Sequence, residues 1–135
     1  KQLIYKNMNP WNSNYKSHQG NIGLGQAIAY FTSIGVPVLL PLNDTQKYDL
    51  VVAWNGLKRI SVKTTKQLNK NLKYFIVGLR NTGGSSGKSI IRKFNKEDCD
   101  YIFMYTFTNQ RYLIPTDMIN VNTITLTPEW NKYQI

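Results

Sequence analysis

Asn55-Gly56 lies between two apolar runs of this chain and constrains the fold more than any other dipeptide in it. Both residue types tolerate positive φ, which a type I′ turn demands at its two central positions. YDLVVAW before the pair and LKRISVKTT after it are therefore expected to be antiparallel strands. Leu57, Ile60 and Val62 are the apolar members of the second strand. Side chains alternate along a strand, so Ser61 and Lys63 share one of its faces, with Val62 turned to the core between them.

The rest of the chain supplies what such a hairpin must pack against. NIGLGQAIAYFTSIG predicts a helix from about Asn21 to about Ser33, stopped by Gly35. Its glycines at 23 and 25 lower helix propensity but permit close approach of another backbone. VPVLLPL reads as a short buried strand between prolines. Further strands are expected at Lys73–Arg80, at Tyr101–Phe107 and Arg111–Ile114 around a turn at Asn109-Gln110, and in NTITLTP. PTDMINV reads as a short helix. NTGGSSGKS reads as a flexible loop and KQLNKNL as a basic connector. The order predicts an α/β (α+β) chain with a mixed β-sheet flanked by helices. With 135 residues, no repeat and no linker, one domain over 1–135 is expected, with 1–20 as a polar, Asn-rich N-terminal arm.

Charge narrows the class of partner. The formal net charge is +10 at pH 7, a surplus that concentrates anions around a small domain. Nucleic acid is the commonest such partner, and an anionic membrane surface also fits. Lys58, Arg59, Lys63, Lys66, Lys70 and Lys73 gather around the hairpin, and Lys88, Arg92 and Lys93 around the Gly/Ser loop. They suit phosphate contacts, which position a protein without reading sequence. The Asn-rich arm and the Gly/Ser loop carry residue types that reach base edges. No run approaches the ~20 apolar residues of a membrane span, and KQLIYKNMNP has no signal-peptide core, so an intracellular protein is expected. Cys99 is the only cysteine and His18 the only histidine, which excludes an intrachain disulfide and a Cys/His zinc site. GGSSGKS imitates a P-loop, but Thr82 stands where that loop needs its first glycine and no convincing helix follows. Trp54 is expected to be a packing residue, not a base-stacking platform.

Asp49 and Lys63 are the pair with chemical promise. Phosphodiester hydrolysis needs an activated water, a stabilised pentavalent phosphate and a neutralised leaving oxygen. Mg²⁺, with Mn²⁺ as a substitute, serves all three through oxygen ligands. Asp49 at the start of one strand is a candidate ligand, as is the backbone carbonyl of Val62 on the other. The Lys63 ammonium would orient water and offset phosphate charge.

GxxGLGQAIAYFTSIGVPVLLPL, YDLVVAWNGLKRISVKTT and the later DYIFMYTFTNQRYLIPTDMI, together spanning about Gly20 to Leu126, resemble the PD-(D/E)XK nuclease superfamily. More narrowly they are similar to its small endonucleases, among them the cyanobacterial group I intron homing enzyme. The resemblance implies a restriction-endonuclease-like core and a metal-dependent DNA endonuclease of site-specific or homing type. Position by position, Gln26 falls at the helical Glu, Asp49 at the Asp, Ser61 at the variable acid or amide, and Lys63 at the Lys. Gln26 and Ser61 are neutral where acids or, at Ser61, an amide are usual. Three explanations fit: an inactivating change at Gln26, a site completed by DNA phosphates, or a fold kept without its reaction. Double-stranded or branched DNA is the expected substrate. Cutting both strands needs two sites, which a homodimer or homotetramer supplies. The rival readings are a catalytically impaired nucleic-acid-binding protein and an accessory or inhibitor of a nucleic-acid enzyme.

Overall fold

A computed structural model describes Trp11, residues 16–83 and residues 90–135. Helix α1, Lys16–Ser33, begins about five residues before the expected start and ends where Gly35 predicts. Gly35 adopts φ +77°. The Gly35 N–H donates to the Thr32 carbonyl at 3.1 Å and the Val36 N–H to that of Phe31 at 2.9 Å. This is a Schellman stop, and the apolar contact that accompanies it is present, since Val36 packs into the same cluster as Phe31.

Nine strands follow in the described residues: β1 Val38–Leu39, β2 Leu50–Ala53, β3 Leu57–Thr65, β4 Ile76–Gly78, β5 Asn81–Gly83, β6 Ile90–Arg92, β7 Tyr101–Thr106, β8 Arg111–Pro115 and β9 Thr123–Thr125. Five form the main sheet, in the order β1-β2-β3-β7-β8. β3 and β7 run parallel, from Ile60↔Tyr101 to Thr65↔Thr106, and the other neighbours are antiparallel. The β2–β3 hairpin is the expected one. Asn55 and Gly56 both have positive φ, 49° and 88°. The register Ala53↔Leu57 leaves Trp54, Asn55 and Gly56 in the loop. Trp54 stacks obliquely on Tyr101, ring centroids 5.4 Å apart, as a packing residue would.

The parallel β3–β7 pair requires a long crossover, and residues 66–100 supply it with the small strands β4 to β6. The sheet is covered on both faces. Ala27 and Phe31 of α1 meet Leu50, Val52, Ile60, Phe103 and Tyr105 on one face. On the other, Ile102, Met104, Tyr112 and Ile114 meet Val77, Leu79, Ile119, Ile124 and Leu126 from the β4–β9 ribbon and its flanks. This is the expected α+β chain with a mixed sheet.

Three local expectations change. VPVLLPL is not a buried strand: only Val38 and Leu39 pair, on the sheet edge, and Leu39, Leu40 and Leu42 are exposed. Pro37 and Pro41 have no N–H to extend the ladder. PTDMINV forms a single 3₁₀ turn at Thr116–Met118. The two ends of NTGGSSGKSIIR pair as β5 and β6. Residues 84–89, with Lys88, and most of the N-terminal arm lie outside the described residues. No helix among the described residues is long and apolar enough to cross a membrane.

Candidate active site

The site is built where β2 and β3 part. Their last rung is Leu50↔Ile60, while β3 continues to Thr65. Backbone groups on the open edge of β3 must find partners elsewhere. The Asp49 N–H donates to the Ile60 carbonyl at 2.9 Å. The Val62 N–H donates to Asp49 Oδ2 at 2.6 Å. Gln19 Nε2 donates to the Thr64 carbonyl at 3.2 Å. A strand residue directs its N–H and C=O to the same edge, so the Val62 carbonyl points toward the edge that Asp49 and Gln19 close. An open cleft of about 250 Å³ lies along it, lined by Gln19, by Lys63 to Gln67 and by Ile76 to Gly78.

Asp49 and Lys63 perturb each other through this edge. The Asp49 carboxyl is raised from its ordinary 3.8 chiefly by loss of hydration, opposed by the Val62 N–H and the Lys63 charge. Lys63 is lowered from 10.5, again mainly by burial and opposed by Asp49. Both shifts favour the neutral forms. Asp49 keeps a surface open to water, which limits its loss of hydration. Lys63 is half-buried. Ser61 lies beside Asp49 if the register is carried one step further, and is buried at 8 % exposure.

Helix geometry sets Gln26 on a different side of α1 from this edge. Successive helix residues turn about 100° around the axis, and Gly23 marks the line where α1 touches β3. A Cβ built on Gly23 would stand 2.0 Å from Thr64 Oγ1. Gln26 and Tyr30 lie on one side of that line, Leu24 and Ile28 on the other. Tyr30 packs near Phe103 of β7, at 6.1 Å, and carries Arg111 of β8 over its ring at 5.6 Å. Ile28 instead lines a cleft with Val36, Pro37 and Val38 beside β1. Gln26 therefore turns toward β7 and β8, and Leu24 toward β1 and β2, the side from which Asp49 enters. The sequence pattern misses Gln19 because an amide seven residues before Gln26 looks like ordinary helix surface.

The basic residues divide. Arg59 is held by its own fold: its guanidinium bonds Asp100, 3.2 Å from Oδ1, and donates from Nη1 to the Glu97 carbonyl at 2.8 Å. Lys66 Nζ donates to the Trp11 carbonyl at 2.7 Å. Lys58 is half-buried, and Lys70, Lys73, Arg92 and Lys93 are exposed. Cys99 is buried and its thiol is pushed up to about 11, chiefly by loss of hydration. That disqualifies it as a thiolate nucleophile.

No curated protein sequence matches the chain. Its fold is similar to the solved structure of a bacterial homing endonuclease, I-Ssp6803I: 24% identity, TM-score 0.75, 88% of each chain covered. The family model for PD-(D/E)XK endonucleases matches residues 14–132. That match takes in the helix, the parted hairpin and the closing strands together, and the chain belongs to the PD-(D/E)XK endonuclease family.

Proposed function

We propose that this chain is a metal-dependent DNA endonuclease whose site is the open edge of β3. The observation that carries the reading is the Asp49 carboxylate held on the Val62 N–H, with Lys63 next along the same strand. The bond fixes Oδ2 and thereby orients Oδ1. The donors present are oxygens: the Asp49 carboxylate, the Val62 carbonyl and the Gln19 amide oxygen. No group of three His, Cys, Asp or Glu side chains suited to a metal occurs among the described residues. One carboxylate with neutral oxygens fits Mg²⁺, which keeps several waters and takes further ligands from substrate phosphate. It does not fit a structural zinc. When bound, the ion would neutralise charge on the scissile phosphate and lower the pKa of a water. Asp49 and Val62 would hold it.

The chain's own part is positioning and proton handling. Lys63, its pKa depressed by burial, gives up a proton more readily than a free lysine. As the ammonium, it offsets phosphate charge. Ser61 is a neutral neighbour that leaves the site with low negative charge, which eases approach of a polyanion. Exposed Lys70, Lys73, Arg92 and Lys93, and half-buried Lys58, supply salt-sensitive phosphate contacts. Cutting both strands takes two such sites, as in a homodimer or homotetramer. A second reading, a DNA-binding protein without cleavage, is favoured by the single carboxylate.

The test is nicking of supercoiled and branched DNA with Mg²⁺ or Mn²⁺. Cutting should need the ion and fall at least ~100-fold in Lys63→Ala, the scale of a lost acid–base or charge-stabilising group, with DNA binding retained. Metal-dependent cutting unchanged in Lys63→Ala would remove Lys63 from the mechanism. Binding without any cutting would establish the second reading.

A further inference from the structure

The crossover after β3 opens with a small ribbon, residues 66–76, whose two legs are themselves a wall of the cleft: Lys66, Gln67 and Ile76 line it. The ribbon is well braced. The Ile76 N–H donates to the Gln67 carbonyl and the Asn69 N–H to that of Tyr74, at 2.9 and 2.8 Å. Leu68 bridges Phe75. Asn69 Oδ1 accepts from the N–H groups of both Lys73 and Tyr74.

All this bracing presents one odd residue. Leu72, at the tip, has φ +54° and is 75% exposed. Gly or Asn takes that conformation readily, whereas a leucine is strained in it. A large apolar side chain in a disfavoured backbone state, facing water, has no account in the packing. Residues held in this way cluster at ligand clamps. The flanks of the tip are cationic, with Lys70 and Lys73 both exposed.

Resting on the nuclease reading above, we propose that the 66–76 ribbon enters the DNA minor groove beside the scissile phosphate and wedges Leu72 into a base step, with Lys70 and Lys73 on the flanking phosphates. An apolar wedge between bases is an established way for proteins to bend DNA from the minor groove. Reach is adequate. At about 3.3 Å per residue the tip stands roughly 10 Å beyond the Gln67–Ile76 rung, against a groove about 7.5 Å deep. Because the legs line the cleft together with Lys63, seating the tip also sets where the backbone crosses Lys63. Flexible pyrimidine–purine steps, cheapest to unstack, are the sequences this device selects.

The test uses the full chain in EDTA, so that nothing is cut. The probe is a mixed-sequence duplex carrying 2-aminopurine at successive TA and CA steps, with end-to-end energy transfer to report bending. Leu72→Asn keeps a residue that suits positive φ, so its melting temperature should hold or rise, which separates the effect from misfolding. The expected result is loss of the bend and of the 2-aminopurine signal, with affinity about tenfold weaker, in keeping with a lost wedge contact. Lys70→Ala and Lys73→Ala should each reduce the slope of log K against log salt by about 0.9. Equal affinity and equal 2-aminopurine signal in Leu72→Asn overturn the wedge while the nuclease reading stands, and leave the tip to a protein partner. No duplex binding by the unaltered chain, either in EDTA or with non-catalytic Ca²⁺ added, overturns both.

Discussion

Replacing Gly23 by alanine tests how tightly the helix is pressed onto the edge of β3 that forms the site. An alanine Cβ there would lie 2.0 Å from Thr64 Oγ1 and 3.2 Å from both Thr64 Cβ and Val62 Cγ1. Rotating Thr64 removes the first clash, but the two 3.2 Å contacts remain, so the helix must lift. Overpacking of this kind costs about 1–3 kcal/mol, and contact at 2.0 Å argues for the upper end. Against it stands the helix propensity of alanine over glycine, about 1 kcal/mol. The net is a loss of about 2 kcal/mol. Gly25 is the internal control, on the same helix with nothing within 4 Å of its Cβ position. Gly25→Ala should gain about 0.5–1 kcal/mol. Two identical substitutions two residues apart should thus differ by about 3 kcal/mol in urea unfolding and roughly 10 °C in melting temperature. Thr64→Ala in the Gly23→Ala background should restore part of the loss, since the closest atom is gone. Lifting the helix also draws Gln19 off the Thr64 carbonyl, so DNA cleavage should fall along with stability. If Gly23→Ala were as stabilising as Gly25→Ala, the close contact of α1 with β3 would be refuted.

Gln26→Glu should leave metal-dependent nicking unchanged, because that side of α1 faces β7 and β8, whereas Leu24→Glu, on the Asp49 side, should raise it severalfold by adding a second carboxylate; the reverse order in a plasmid assay would overturn the helix rotation described here. Asp100→Asn should cost about 0.5–1 kcal/mol at neutral pH, a small amount because water screens the Arg59–Asp100 pair, both partners being more than a third exposed. Arg59 holds the Asp100 carboxyl below its ordinary 3.8, so this stability is present above pH 3.8 and is lost as pH falls through the lower folded value. Urea unfolding at a series of pH values should show the two proteins begin to converge as pH falls below 3.8, and a gap that did not narrow at all toward lower pH would refute the assignment.

What the sequence made legible was set by short-range rules. Asn55-Gly56 forces a hairpin, Gly35 forces a helix stop, and alternation along LKRISVKTT puts Ser61 and Lys63 together. Each follows from backbone sterics within a few residues. What short-range rules leave open are questions of rotation and of partners distant in sequence. Counting along a motif assigns Gln26 a place in the series, whereas its direction depends on which helix residue touches β3. That is fixed by Gly23 fitting against Thr64, a contact across 41 positions. Arg59 reads as a surface cation until Asp100, on the far side of the crossover, closes on it. Val36–Leu42 reads as a core strand because its leucines are apolar, yet its prolines leave it at the edge of the sheet. The same rule accounts for Gln19. A helix amide acquires meaning only because β2 begins no earlier than Leu50 and leaves the Thr64 carbonyl without a partner in β2. The unpaired length of β3 is thus what the fold must satisfy: Asp49 and Gln19 cap the backbone groups that a longer β2 would otherwise take. On the function proposed here, leaving a strand short is what keeps a cleft open for phosphate.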